Sequence, residues 1–160
     1  MSKLLEISYN YALFVAITSW FCAQLIKTLI HLFAYKKLSL ERLFGAGGMP
    51  SAHSALVCSN AIAMSRIAGF NSPEFAISFI LAMIVMYDAM GVRRAAGTHA
   101  REINKIKKKF YRPLNDDEEE IYELNDIEKK ELKELLGHTP LEVLAGALLG
   151  ILIAMVFPIH

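Results

Sequence analysis

The sequence predicts an all-α integral membrane bundle of about four transmembrane helices with a charged cytoplasmic loop, forming one domain over residues 1–160. Three observations carry this. Hydrophobic residues make up 54% of the chain, against about 45–50% in soluble proteins. They are gathered in four blocks of the length needed to cross a bilayer, where ~20 mostly apolar residues suffice. Most of the charge falls in one polar stretch between the third and fourth blocks.

The first block runs from Tyr11 to Ala34. It is long for a secretory signal, carries Trp20, Gln24, Lys27 and His31, and has no clear small-residue cleavage site, so it reads as retained. Gln24, Lys27 and His31 lie at i, i+3 and i+7, one polar stripe on an apolar helix that would face its neighbours. The second block, Ala52 to Phe70, is the weakest, because His53, Asn60 and Arg66 interrupt it. It survives in lipid only with its polar side turned to protein. Ahead of it, Gly45, Gly47 and Gly48 allow close backbone approach, and Pro50 and Ser51 read as a helix start with Ser51 at the N-cap.

The third block runs from Phe75 to Val92. Asp88 near its end is costly in or beside a membrane unless paired. Residues 93–137 form the charged loop, with the basic run 105–109 and the acidic run 116–120 as solvated chain. Residues 127–137 end the loop as a short amphipathic helix. The fourth block, Leu141 to Pro158, opens with a capping box of Thr139 and Glu142 around Pro140. Gly146 and Gly150 share nearly the face of Glu142 and suit close helix packing.

Threading these blocks places the ends near Tyr35, Ser51, Val92 and Thr139 on one side. Of the 17 Lys and Arg, 14 fall there, which makes that side cytoplasmic. The net charge of +1 gives no field for nucleic acid. Cys22 and Cys58 are far apart in apolar blocks and read as buried, inert thiols.

The polar residues of that side have a common chemistry. A helix N-terminus after a glycine-rich loop suits an anion, and His53 stands in its first turn. His138 lies four residues before Glu142, so the carboxylate can hold Nδ1 and leave Nε2 free. The capping box alone accounts for Glu142 equally well. Arg93 and Arg94 offer forks for phosphate oxygens, although cytoplasmic anchoring also explains them. Lys27 adds an ammonium. Two histidines, a carboxylate and several cations are equipment for phosphoryl transfer without metal or cofactor. No H-E-x-x-H or comparable metal-ligand spacing is present.

GGMPSAHSA (47–55), DAMGVRRAAG (88–97) and LGHTPLEV (136–143), with AQLIK (23–27), resemble the small divergent branch of the phosphatidic acid phosphatase type 2 and vanadium haloperoxidase superfamily. The resemblance covers nearly the whole chain. It implies that His138 is the nucleophile, that Glu142 orients it in place of an aspartate, that His53 is the general acid and that Ser51 binds phosphate. Gly48, Arg93, Arg94 and Lys27 would complete the phosphate site, with Asp88 and Gln24 in support. Leu132 occupies the position where the larger superfamily has an arginine. The expected activity is hydrolysis of a lipid phosphomonoester or diphosphate at the cytoplasmic face through a phosphohistidine. Candidate substrates are phosphatidylglycerophosphate, phosphatidate and polyprenyl phosphates. The alternative is a non-catalytic lipid-phosphate binding or carrier protein. Four helices leave a lateral opening that a homodimer would close.

Overall fold

The computed structural model describes residues 10–35, 48–110, 132 and 137–159. Five helices lie among them: α1 (Tyr11–Tyr35), α2 (Ala52–Ala68), α3 (Pro73–Met90), α4 (Val92–Phe110) and α5 (Pro140–Val156). The protein is an all-α bundle. Tyr11–Phe33 and Pro73–Lys107, which takes in α3 and most of α4, each contain an apolar window long enough to cross a membrane, and Pro140–Val156 is a shorter apolar helix.

α2, the least apolar of the expected spans, is the central helix and packs against α1, α3 and α5. Its buried residues are mostly small: Ala52, Ser54, Ala55, Ser59, Ala61, Ala63 and Ser65, with Val57 and Cys58 packed against Ala82 of α3. The serine hydroxyls are satisfied locally. Ser59 Oγ donates to the Leu56 carbonyl at 2.9 Å and Ser65 Oγ to the Ile62 carbonyl at 2.8 Å, so none needs water inside the bundle. Across from this face, α5 presents Gly146, Gly150 and Ala154, all buried. A Cβ on Gly146 would run into the Ser51 carbonyl, and one on Gly150 into the Ala55 carbonyl. The two backbones therefore touch, as small-xxx-small packing in membranes requires.

The exterior inverts the pattern of a water-soluble bundle. Leu141, Leu144, Leu148, Leu152 and Met155 form an exposed row along α5; Ile77, Ile80, Ile84 and Tyr87 do so along α3, and Phe14, Ile17 and Phe21 along α1. Serines, Gln24, Lys27 and His138 are inside. Apolar surface of this extent belongs in lipid, and the protein is an integral membrane protein.

The two ends of the bundle are tied differently. At one end Arg66 Nη1 donates to Tyr11 Oη at 2.7 Å, to the Phe157 carbonyl at 2.7 Å and to the Ala154 carbonyl. Tyr11 Oη donates to the Phe157 carbonyl at 3.1 Å. The guanidinium thus caps the C-terminal carbonyls of α5, and Arg66 of α2 faces protein as its sequence context required. At the other end Ser51 N–H donates to the Glu142 carbonyl and His138 N–H to the Ala89 carbonyl, each at 2.9 Å.

The expected loop 93–137 is corrected over its first part: residues from Val92 to Phe110 are helical. A polar segment read as solvated chain forms a helix because its apolar residues recur on one side. The acidic run 116–120 lies outside the described residues, as does the expected helix over 127–137 apart from Leu132 and Gly137, neither of which is helical. Cys22 and Cys58 are both free thiols, Cys58 buried and Cys22 half-buried.

Candidate functional site

Thr139 and Glu142 build the site from the start of α5. Thr139 Oγ1 accepts from the Glu142 N–H at 3.3 Å, and Glu142 Oε2 accepts from the Thr139 N–H at 3.1 Å, closing the capping box. The same Oε2 lies 3.0 Å from His138 Nδ1. The two sequence readings of Glu142, helix cap and histidine partner, are therefore both realised, on a single oxygen. With Nδ1 donating to the carboxylate, the Nε2 lone pair is available. His138 is 3% exposed, and Nε2 has no hydrogen-bond partner among the described residues.

Gly137, at φ +88°, lets the chain pass directly over the start of α4. A Cβ there would collide with the backbone of Arg93 and Arg94. This contact and the His138–Ala89 hydrogen bond fix the histidine at the junction of α3, α4 and α5. Across from it, His53 stands in the first turn of α2, its ring centroid 6.5 Å from that of His138 with the planes at 60°. His53, His138, Asp88, Arg93, Gly137, Ile84, Val85 and Ala89 line one pocket of about 230 Å³. Arg93 Nε donates to Asp88 Oδ2 at 2.7 Å, which supplies the partner that Asp88 needed and leaves the guanidinium's terminal nitrogens as its remaining donors.

Other expected site residues lie apart from that pocket's lining. Ser51 is fully buried, and its Oγ accepts from Ser54 N at 3.3 Å and from Ser54 Oγ at 3.0 Å. It caps α2 and ties it to α5. Gly48, at φ +86°, packs over the Lys27 stem, where a Cβ would meet Cγ and Cδ at 3.5 Å. Lys27 is 6% exposed beneath it, within electrostatic range of His53. Gln24 is buried on the same side of α1, with Oε1 unpartnered among the described residues. Arg94 is exposed on α4 and meets Gly137 through its backbone. Among the described residues, no group of three or more His, Cys, Asp and Glu is arranged to hold a metal ion.

Asn104 was not foreseen. Its Nδ2 donates to the Leu132 carbonyl at 3.0 Å and its Oδ1 accepts from the Leu132 N–H at 3.1 Å. The chain six residues before His138 is thereby pinned to α4. A lone asparagine in a charged stretch gave no sequence signal for this.

Fold and site together define an integral membrane helical bundle with a carboxylate-oriented histidine, a second histidine and an arginine at one end. The chain belongs to the divergent PAP2 family, whose description residues 8–153 match. It is 40% identical over 152 residues to the "Uncharacterized membrane protein YuiD" of Bacillus subtilis (strain 168), covering 95% of this chain and 96% of that protein. No solved structure matches the chain. Membership is consistent with a lipid-phosphate-handling role.

Proposed function

We propose that the protein is a metal-independent lipid phosphate phosphatase, hydrolysing a lipid phosphomonoester or diphosphate at the cytoplasmic face. The observation that carries this reading is the His138 ring, held at Nδ1 by Glu142 with Nε2 left for chemistry, facing His53 in one pocket with Arg93. Its chemistry runs in two steps. His138 Nε2 gives its lone pair to phosphorus, the P–O bond to the lipid breaks, and His53 protonates the leaving oxygen. Water then attacks the phosphohistidine, the P–N bond breaks, and His53 takes the water's proton. Glu142 stabilises the positive imidazole that forms on the way. The Arg93 guanidinium, steadied by Asp88, offers its terminal N–H groups to the equatorial oxygens. Lys27 adds field beneath Gly48. Ser51 acts through the seating of α2 on α5, and Arg94 and Gly48 remain secondary candidates for phosphate contact.

The test is release of inorganic phosphate by pure protein from phosphatidylglycerophosphate, phosphatidate and polyprenyl phosphates in chelator. Acid-labile, base-stable phosphate should appear on His138 after quenching and be absent in His138→Ala. His53→Ala should damage alkyl phosphates far more than an activated aryl phosphate, whose leaving oxide needs little protonation. Lipid binding with no phosphate release from any substrate would return the protein to the carrier reading.

A further inference from the structure

α4 divides lengthwise into three faces. Gly97, Ala100 and Asn104 are buried, Asn104 through its hydrogen bonds to the chain at Leu132. At 100° per residue, Val92, Ile103 and Ile106 fall together on a second face, and all three are exposed. Arg94, Arg101 and Lys105 share a third face opposite the second, also exposed. The whole helix carries seven Lys and Arg against the single acidic residue Glu102, which pairs with Lys105 at 2.8 Å. α4 follows α3 after Gly91 alone, and the Gly91 backbone departs from helical values at φ −95° and ψ −91°. A membrane-crossing helix is thus followed at once, past a break, by a basic amphipathic one.

We infer that α4 lies on the bilayer surface and binds anionic lipid headgroups. Bare Val92, Ile103 and Ile106 suit the acyl boundary, while the cationic face suits phosphate at the headgroup level. The charge selects the partner: cations immediately beside a membrane span attract an anionic leaflet. A neutral bilayer would satisfy only the apolar face. The inference is independent of the phosphatase reading, since it uses neither histidine nor the pocket.

The test uses the full chain with Cys22 and Cys58 replaced by serine, reconstituted in bilayers of phosphatidylcholine and phosphatidylglycerol. A fluorophore is placed at Ile106→Cys or, separately, at Thr98→Cys on the polar side. One of the two lipids is brominated at a time, at equal mole fraction. The label at 106 should be quenched, the label at 98 much less, and brominated phosphatidylglycerol should quench 106 more than brominated phosphatidylcholine. Arg101→Gln with Lys105→Gln should cut that headgroup preference at least about twofold, as should high salt. Equal quenching by both lipids overturns the anionic selectivity. Absence of quenching at 106 by either lipid overturns the surface placement and gives α4 to an aqueous partner. Failure of phosphate release leaves all of these readouts unaffected.

Discussion

Alanine at Gly146 or Gly150 tests the contact that brings α2, which carries His53, against α5, whose start follows His138. A Cβ at Gly146 would lie 3.0 Å from the Ser51 carbonyl carbon and 3.1 Å from Ser51 Cβ, with the carbonyl oxygen nearer still; at Gly150 it would lie 2.9 Å from Ala55 C and Cα. Carbon atoms rest at about 3.5–4.0 Å, and backbone atoms cannot rotate aside, so α2 and α5 must part by roughly half an ångström or more. Overpacking of this kind costs about 1–3 kcal/mol, which corresponds to roughly 3–10 °C in Tm for a chain of this size. The double variant should cost less than the sum, because helices already parted admit the second methyl more easily. Leu148→Ala, at a residue 53% exposed on the lipid side, is the control and should shift Tm little. Thermal loss of the monodisperse protein in detergent, followed by chromatography, measures all four. Gly146→Ala should also lose more activity than Gly150→Ala at equal Tm, since it displaces the Ser51–Glu142 backbone bond beside the pocket. Two alanine variants within about 1 °C of the parent would show that the helices are not in backbone contact.

Arg66→Met should destabilise the bundle by about 3 kcal/mol or more, since it strands helix-end carbonyls in an apolar setting, whereas Tyr11→Phe should cost about 1 kcal/mol; thermal unfolding compares them. Thr139→Ala should lose a cap worth about 1 kcal/mol and keep most turnover, while Glu142→Gln should lose turnover well beyond its loss of Tm; equal behaviour of the pair would make Glu142 a cap alone. Arg93→Ala should lower kcat by about 10²-fold, with Asp88→Asn milder because the guanidinium stays and only its brace goes; unchanged kinetics in Arg93→Ala would return it to anchoring. Asn104→Ala should speed hydrogen exchange at the Leu132 amide, read by mass spectrometry, and unaltered exchange would mean that other contacts hold that strand of chain.

Much of this arrangement was legible because membranes impose few solutions. The apolar blocks gave four of the five helices to within a few residues, and His53, Asn60 and Arg66 marked α2 as the helix that must be sheltered. The i, i+4 spacing of His138 and Glu142 suggested their contact; because His138 precedes the N-cap, it is the capping box that turns the Glu142 carboxylate back to it. What was missed depends on tertiary placement. Ser51 could be read as an N-cap, but not that its oxygen would accept from both the N–H and the hydroxyl of Ser54. Gly48 and Lys27 were both singled out, but nothing in their spacing shows that they pack against each other. Lysines at 105–109 hid the helicity of α4, because charge dominates composition while Val92, Ile103 and Ile106 carry the periodicity.

The oxygen shared by Thr139 and His138 has a consequence for how such a chain matures. Until the first turn of α5 winds, Glu142 does not face back along the chain, and the imidazole has no fixed tautomer. Winding that turn and orienting that ring are one event. α5 follows the other four described helices, so until it winds, His138 lacks the carboxylate that the proposed chemistry needs. Glu142→Asp, one methylene shorter, should therefore keep one of the two contacts and lose the other.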